Sequence, residues 1–268
     1  ELVKKNYAVT VFQRSKLIKK TLNIKFKSVD LTNKEKCFKY IKNFDFVVNC
    51  AAKLNSKDQK KSFLENFKIF FYPYISCVSN NIKNYIFISS NNVVSDKLFV
   101  KKTKNNRTYK IKNGYTLAKM FSEYFGMEMS KNNKVIFKVI RPSNIYGPGQ
   151  YSGAMFFILK KIKYFKKKIL HLNINPNSVR NYSHVVDCAK CIVKLMKIKK
   201  KLTCNITNDK KISIRNIVDC CKKILNKNIN VKYSSKQKIT KKLFNTSNLE
   251  KYIKFNEKYD ISKGLKDL

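Results

Sequence analysis

Short apolar runs that alternate with helix-like segments constrain the fold of this chain more than any other feature. The strand-like runs lie at residues 8–12, 24–29, 46–48, 85–88 and 135–140, and the helix-like segments lie at residues 34–42, 58–80 and 115–130. Continuous apolar strands between helices are typical of a parallel sheet that is covered on both faces. The sequence therefore predicts an α/β protein, in which the segment 58–80 is irregular at Pro73.

After Pro148, strand-like and helix-like segments alternate less regularly. Further helix-like segments lie at residues 153–165, 185–197 and 213–225, and short strand-like runs lie at residues 202–206 and 229–233. We predict a parallel-sheet α/β domain over residues 1–148 and a smaller α/β part over residues 149–268. Within the second part, residues 181–206 are predicted to return to the first sheet.

The formal net charge of +43, from 59 Lys and Arg against 16 Asp and Glu, is a common pointer to nucleic acid. However, only five of these cations are arginine, whose planar fork suits phosphate and base recognition better than lysine does. Lys, Asn, Ile, Phe and Tyr share A/T-rich codons, and their joint abundance favours a compositional bias. We therefore expect no nucleic-acid partner, and a basic nucleic-acid-binding protein is the less favoured alternative.

Eight cysteines raise the question of a metal site. Cys188 and Cys191 form a C-x-x-C and Cys220 and Cys221 are adjacent, but no second C-x-x-C completes a zinc ligand set. Both groups lie in predicted helices, where cysteine behaves as a small apolar residue, so we expect no metal. The chain start has no apolar signal-peptide core and no segment has the length of a membrane span. We expect reduced thiols, a cytoplasmic location and no membrane partner.

Polar residues at the ends of predicted strands indicate a ligand site, and a tyrosine with a lysine four residues later carries the clearest chemistry. The polar clusters lie at residues 49–52, 89–90 and 141–144, and ligands bind at the carboxyl ends of strands in open parallel sheets. Tyr115 and Lys119 lie on one face of a predicted helix. A neighbouring ammonium favours the phenolate, so Lys119 is expected to lower the pKa of Tyr115. The pair would then act as general acid and base on a hydroxyl group.

This pair belongs to an ordered set of motifs. Ser90 ends the preceding strand, residues 139–150 include the next strand and a Gly-Pro-Gly turn, and residues 180–187 open a later helix. In order and spacing, the motifs resemble the extended short-chain dehydrogenase/reductase family, and within it the NAD-dependent epimerases/dehydratases that act on nucleotide sugars. Further stretches resemble family motifs at residues 29–31, 47–52, 205–214, 245–247 and 261–265.

The resemblance implies a Rossmann-type doubly wound parallel sheet with a smaller C-terminal α/β substrate domain. It implies a nucleotide-sugar epimerase, that is, an isomerase, or an epimerase/reductase, working by Tyr-assisted hydride transfer at a sugar hydroxyl. It also implies NAD as the cofactor, a nucleotide-sugar substrate and a homodimer.

The resemblance assigns roles to individual residues. The implied catalytic residues are Tyr115 as acid and base, Lys119 as the ligand of the nicotinamide ribose, and Ser90 as the partner of the reacting hydroxyl. The implied cofactor-binding residues are Asp30, Leu31, Cys50, Ala51, Ala52, Asn66, Tyr115, Lys119 and Ser143. The implied substrate-binding residues are Ser90, Asn144 and Arg180, and a bidentate guanidinium such as that of Arg180 suits a diphosphate.

Three departures from the family pattern affect these expectations. None of the six glycines precedes Gly114, so we expect the chain to lack the N-terminal strand and glycine-rich turn that cradle the pyrophosphate, roughly 20 residues. Gln13 and Arg14 replace the usual acid after the following strand, which leaves NADP open as an alternative to NAD. Asn91 and Asn92 replace the acidic pair of dehydratases, so dehydration is disfavoured. These departures keep a non-catalytic dinucleotide-binding protein as an alternative.

Overall fold

A computed structural model describes residues 1–14, 23–54, 56–94, 100–102, 109–111, 113–207, 210–234, 238–242, 247–255 and 257–268. Its strands are β1 (Val9–Gln13), β2 (Ile24–Ser28), β3 (Phe46–Asn49), β4 (Asn84–Ile88), β5 (Val100–Lys102), β6 (Tyr109–Ile111), β7 (Ile136–Pro142), β8 (Asn144–Tyr146), β9 (Ile169–Leu172), β10 (Val179–Arg180), β11 (Tyr182–His184), β12 (Leu202–Ile206), β13 (Ile212–Ser213), β14 (Asn230–Tyr233) and β15 (Lys241–Lys242). Its α-helices are α1 (Lys34–Tyr40), α2 (Gln59–Ser79), α3 (Gly114–Met129), α4 (Ala154–Tyr164), α5 (Val185–Met196), α6 (Ile214–Ile224), α7 (Ser247–Glu250) and α8 (Ile261–Lys266).

The chain divides into two compact units. The first comprises residues 1–141 and 193–204, and the second comprises residues 142–192 and 205–268. The sequence predicts a division after Pro148 and a returning segment 181–206, and the first compact unit ends at Arg141 and takes in residues 193–204. Strand pairing explains the difference, because β12 is the strand that joins the sheet of β7, whereas β11 pairs with β8 in the second unit.

A four-stranded sheet forms the centre of the first unit. Its strand order is β12-β7-β4-β3, and β3, β4 and β7 run parallel to one another. β1 and β2 form a parallel pair of their own beside this sheet in the strand assignment. The core is aromatic, with fully buried rings from Phe70, Tyr74, Tyr85, Phe87 and Phe137. The predicted parallel α/β architecture is confirmed.

Helix α2 continues through Pro73, where the sequence predicts an irregularity. Proline has no amide hydrogen, so the carbonyl of Ile69, four residues earlier, loses its helical donor. The side-chain amide of Asn49 in β3 replaces that donor at 2.9 Å. The hydroxyl of Tyr85 in β4 also donates, at 3.2 Å, to the carbonyl of Phe70. Because side chains of the sheet satisfy these carbonyls, the helix remains continuous against the sheet.

The second unit contains several small sheets around its own apolar core. β8 pairs with β11, β9 pairs with β14, and β10 pairs with both β13 and β15. Helices α4 and α6 supply much of the core, including Ile158, Ile162 and Ile217, which are fully buried. Asp187 in α5 accepts hydrogen bonds from the amides of Lys258 and Tyr259, at 3.0 and 3.1 Å, and so holds the C-terminal segment to this unit.

The structure also bears on the metal and membrane questions that the sequence raises. Within the described ranges, no group of three or more His, Cys, Asp and Glu side chains could hold a metal ion. Cys188 and Cys191 are buried in α5 among apolar residues. No helix in the described part of the chain has the length and apolar character needed to cross a membrane.

Candidate active site

In the first unit, the end of β4 meets the first turns of α3. The hydroxyl of Ser90, two residues after β4, is hydrogen-bonded to the hydroxyl of Tyr115. Lys119, one helical turn after Tyr115, donates from Nζ to the carbonyl of Ile88 at 2.7 Å. The structure therefore brings together the three residues that the sequence predicts as catalytic.

Two local features set the start of α3 and with it the position of Tyr115. Asn113 caps the helix, since its side-chain oxygen accepts from the amide of Thr116 at 3.0 Å. The amide of Gly114 donates to Oε1 of Gln59 at 2.9 Å, and an added Cβ would lie 2.0 Å from the carbonyl oxygen of Gln59. Since only glycine permits this approach of α3 to α2, the adjacent Tyr115 is held by backbone packing.

Lys119 is a buried lysine, with only 4% of its surface exposed. Its Nζ lies 4.4 Å from the centroid of the Phe87 ring and 5.9 Å from the centroid of the Tyr115 ring. Burial disfavours the charged form and lowers the pKa of Lys119 to about 8, although Cys50 and Glu123 oppose this effect. Lys119 is therefore charged at neutral pH and titrates just above it.

The pKa of Tyr115 is raised, whereas the sequence predicts that Lys119 lowers it. Burial of the phenol is the main cause, and the hydrogen bond with Ser90 lowers the pKa by less than burial raises it. The ammonium of Lys119 donates to the Ile88 carbonyl and lies over the ring of Tyr115. This position of the charge does not cancel the rise in the Tyr115 pKa that burial causes. The predicted direction is therefore wrong, and Tyr115 is protonated at neutral pH.

The loop after β3 contains three of the residues that the resemblance assigns to the cofactor. Cys50 and Ala52 are exposed, and Ala51 is half-buried. The side-chain oxygen of Asn49 accepts from the amide of Ala51 at 3.0 Å and turns the chain away from the sheet. Cys50 lies close enough to Lys119 to affect its pKa, so this loop lies beside the Ser90, Tyr115 and Lys119 cluster.

Asn66 in α2 is buried and supports this loop rather than lining it. Its side-chain oxygen accepts from the amide of Lys53 at 2.9 Å. Its side-chain nitrogen donates to the carbonyls of Lys53 and Ser62, at 3.0 and 2.8 Å. Both amide hydrogens are therefore used within the protein, and Asn66 positions the loop.

Asp30 and Leu31 follow β2 and are half-buried. The carboxylate of Asp30 accepts from the amide and the hydroxyl of Thr32, at 2.8 and 2.7 Å. The hydrogen bond from the Thr32 amide is the largest cause of the lowered pKa of Asp30, and the charge of Arg14 contributes in the same direction. Because β1 and β2 are parallel, Asp30 and Arg14 both lie at the carboxyl edge of this pair, where ligands of such sheets bind.

The other predicted residues, Ser143, Asn144 and Arg180, belong to the second unit. The hydroxyl of Ser143 lies 3.0 Å from the hydroxyl of Ser183. Asn144 donates from its side-chain amide to the carbonyl of Asn181 at 2.9 Å, and Arg180 donates to a threonine hydroxyl at 2.9 Å. Ser143 directly precedes β8, Asn144 begins β8, and Arg180 ends β10. In the sequence, all three follow the cluster of Ser90, Tyr115 and Lys119.

Glu123 and Arg141 are residues to which sequence reasoning assigns no role. Nε of Arg141 donates to both carboxylate oxygens of Glu123, at 3.0 Å each. The sequence does contain a signal, because Glu123 follows Lys119 by four residues and Arg141 lies inside a motif. That spacing places Glu123 on the helix face of Tyr115 and Lys119.

Comparisons with known proteins agree with this fold. The sequence model of the NAD dependent epimerase/dehydratase family matches residues 1–207, which is most of the chain. The chain therefore belongs to this family. A comparison with curated proteins found no match.

Solved structures with a similar fold include three nucleotide-sugar epimerases. UDP-glucose 4-epimerase from Thermotoga maritima, determined with UDP-glucose, is 17% identical with a TM-score of 0.82, and the match covers 99% of this chain and 90% of that one. UDP-glucose 4-epimerase from Thermus thermophilus, in complex with NAD, is 16% identical with a TM-score of 0.81 and coverages of 99% and 91%. UDP-N-acetylglucosamine 4-epimerase from Bacillus cereus is 18% identical with a TM-score of 0.79 and coverages of 98% and 87%. The predicted Rossmann-type fold is confirmed.

Proposed function

We propose that this protein is an NAD-dependent nucleotide-sugar epimerase. The observation that carries the proposal is the cluster in which Ser90 and Tyr115 are hydrogen-bonded and Lys119 is anchored one turn away. Membership of the family supports NAD as the cofactor. The UDP-glucose of the Thermotoga structure and the NAD of the Thermus structure support the classes of substrate and cofactor.

The donor set of the cluster fits the nicotinamide end of NAD and a sugar beside it. The ammonium of Lys119 provides hydrogen-bond donors for ribose hydroxyls, and the hydroxyls of Ser90 and Tyr115 both donate and accept, as a reacting alcohol requires. The Phe87 ring, 4.4 Å from Nζ, shields one side of Lys119 from water. Bound NAD would supply the hydride acceptor and the hydride donor for the sugar carbon beside this cluster.

Tyr115 moves the proton in the proposed reaction. As the sugar carbon loses its hydride, the hydroxyl on that carbon gives its proton to Tyr115 in its phenolate form, the minor form at neutral pH, and becomes a ketone oxygen. When the hydride returns to the opposite face, Tyr115 gives the proton back to that oxygen. Ser90 holds the reacting oxygen, and the charge of Lys119 favours the phenolate form that takes the proton.

The remaining site residues have proposed binding roles. At the first unit's strand edges, Asp30 and Leu31 lie near the adenine, and the loop 50–52 lines the cofactor. Ser143 approaches the nicotinamide, while Asn144 and Arg180 bind the sugar and the diphosphate. Arg180 is suited to the last role because a guanidinium can donate two parallel hydrogen bonds to phosphate oxygens.

A turnover assay with a small panel of nucleotide sugars tests this function. The protein would be incubated with UDP-glucose, UDP-N-acetylglucosamine or UDP-glucuronic acid, each with NAD and separately with NADP. We expect interconversion of one sugar with its epimer, seen by proton NMR, and stimulation by NAD. A faster reaction with NADP would shift the cofactor assignment and would point to Arg14.

The alternatives give different outcomes in the same assay. Binding of NAD without conversion of any sugar in the panel would favour the non-catalytic dinucleotide-binding protein. Failure to bind either cofactor, together with salt-sensitive binding of single-stranded RNA, would favour the nucleic-acid-binding alternative. Either result would overturn the proposed enzyme.

A second copy of this chain is the partner that we propose for the α2–α3 face, defined by Leu64, Phe121 and Tyr124. Leu64 is 54% exposed and Tyr124 is 68% exposed, although both are large and largely apolar. Phe121 is also exposed and contacts the ring of Phe67, with 5.1 Å between centroids. Large exposed apolar side chains on two helices that pack together are typical of an interface, and the resemblance implies dimerisation through a helix pair.

Sedimentation equilibrium tests the dimer. We expect the parent protein to have the mass of two chains and the double variant Leu64→Glu, Tyr124→Glu to have the mass of one, because two carboxylates would be buried without partners. Tyr151→Glu, at an exposed tyrosine of the second unit, is the matched control and should remain dimeric. A monomeric parent protein would contradict the proposal.

A further inference from the structure

Glu123 continues the line of site residues along α3. Lys119 lies one helical turn after Tyr115, and Glu123 lies one turn after Lys119, so the three side chains share one face of the helix. Glu123 is only 6% exposed. A carboxylate that is buried to this degree remains ionised only when a cation or several donors compensate it.

Arg141 on β7 is that cation. Its Nε donates to both oxygens of Glu123 at 3.0 Å, and its terminal nitrogen makes a further contact with the carboxylate. Charge-assisted hydrogen bonds from two guanidinium nitrogens fix the direction of the carboxylate. The pair therefore holds the carboxylate of Glu123 one turn from Lys119.

The groups that face Lys119 come from β4, from the loop after β3 and from α3. The ring of Phe87 and the carbonyl of Ile88 face it from β4, Cys50 faces it from the loop after β3, and Tyr115 and Glu123 face it from α3. Of the groups just named, all from the described part of the chain, Glu123 is the one with a carboxylate side chain. Burial lowers the pKa of Lys119 to about 8, and Glu123 opposes that shift.

We propose that Glu123, held by Arg141, is a positioning residue that keeps Lys119 charged in the active site. It acts through Lys119 and has no contact with substrate in this role. The inference rests on the proposed function, because a charged Lys119 is the form that donates to ribose hydroxyls and favours the phenolate of Tyr115. Arg141 sets the strength of the effect, since it neutralises part of the charge that Lys119 experiences.

An NMR titration of the lysine side chains tests the charge effect directly. Protein labelled with ¹³C at lysine Cε would be titrated from pH 6 to 11, and Lys119→Arg would identify the Lys119 signal by its loss. In Glu123→Gln we expect the pKa of Lys119 to fall by about one pH unit, the effect of removing a nearby opposite charge. The matched control is Glu128→Gln, which removes an exposed carboxylate on the same helix that pairs with Lys131 at 2.8 Å, and it should leave Lys119 unchanged.

Replacement of Arg141 gives a result of opposite sign. Arg141→Gln keeps a side-chain amide that donates to Glu123 and removes the neutralising positive charge, so the pKa of Lys119 should rise rather than fall. Glu123→Asp keeps the charge on a shorter side chain and should give a pKa closer to the parent value than Glu123→Gln does. If Glu123→Gln does not fold, the other two variants still test the inference. The pKa of Lys119 should rise in Arg141→Gln and should fall by a smaller amount in Glu123→Asp.

A purely structural pair would behave differently. It would lower the melting temperature in both variants, and the pKa of Lys119 would not move or would move in the same direction in both. Either pattern would overturn the inference.

The titration is independent of turnover, so it separates this inference from the proposed function. If no nucleotide sugar is converted but Lys119 responds as expected, the proposed function fails and the positioning role stands. If the protein is an active epimerase and Lys119 does not respond, only the positioning role fails. In an active protein, the decline of kcat at alkaline pH should also move to lower pH in Glu123→Gln by the amount seen in the titration.

Discussion

Replacement of Tyr115 by phenylalanine is expected to lower kcat by a factor of about 10² to 10⁴, which is what a positioned general acid and base contributes. The variant keeps the aromatic ring over which Lys119 lies, at 5.9 Å, and loses only the hydroxyl that is bonded to Ser90. The cofactor and substrate surfaces are therefore preserved, and the Kd for NAD should be nearly unchanged. Steady-state kinetics with the nucleotide sugar from the panel, together with calorimetric titration of NAD, would measure both quantities.

Tyr124→Phe provides the matched control for this experiment. It removes a hydroxyl from the same helix at a residue that is exposed and far along α3 from Ser90. Its kcat and its Kd for NAD should equal those of the parent protein. An unchanged kcat in Tyr115→Phe would refute the proposed mechanism, whereas an equal loss in both variants would point to damage to the helix.

Replacement of Lys138 by methionine is expected to change how stability depends on pH. Lys138 in β7 has no exposed surface, and its Nζ donates to the carbonyl of Met196 at the end of α5, at 2.9 Å. Burial lowers its pKa to about 8, whereas an unfolded lysine titrates near about 10.4. Below pH 8 both states carry the proton, and burial of the charge costs the folded state about 3 kcal/mol.

The sign of the effect follows from proton binding. Between about pH 8 and about pH 10.4 the unfolded chain binds a proton at Lys138 that the folded chain does not, so this lysine makes the folded state relatively more stable as the pH rises. The stability of Lys138→Met relative to the parent should therefore decline by about 3 kcal/mol across this window. Urea unfolding of both proteins in parallel at each pH measures the difference, in which the contributions of Lys119 and of the buried thiols cancel.

Lys134→Met is the control for the Lys138 experiment. Lys134 is exposed and lies just before the same strand, so its replacement should give a difference in unfolding free energy that is flat with pH. A flat difference for Lys138→Met as well would mean that Lys138 keeps an ordinary titration in the folded protein.

The positions of the main strands and helices could be predicted because they leave a continuous signal in the sequence. A strand such as β4, buried on both faces of a parallel sheet, consists of consecutive apolar residues, and a long helix such as α3 repeats its apolar residues every turn. The short strands β8, β10 and β11 have two or three residues and leave no periodic pattern. The pairing of β8 with β11 places β8 in the second unit, which begins after Arg141.

The continuity of α2 is a second feature that only the fold decided. Proline predicts an interruption from local chemistry alone, since it removes a donor to the carbonyl of Ile69. Asn49 and Tyr85, which are distant in sequence, supply donors to this turn of the helix. No local reading of residues 58–80 contains that information.

The candidate site residues were available from the sequence, because the order and spacing of Ser90, Tyr115 and Lys119 are properties of the chain. Their electrostatics were not. The effect of a neighbouring charge can be read from spacing, but burial depends on what packs around the group, and it raises the pKa of Tyr115 and lowers that of Lys119. The sequence by itself thus determined the fold class, the family and the candidate site residues, since these follow from local pattern. Only the tertiary structure decided the direction of the Tyr115 pKa shift, the pairing of Glu123 with Arg141 and the burial of Lys138, because these depend on contacts between residues that are distant along the chain.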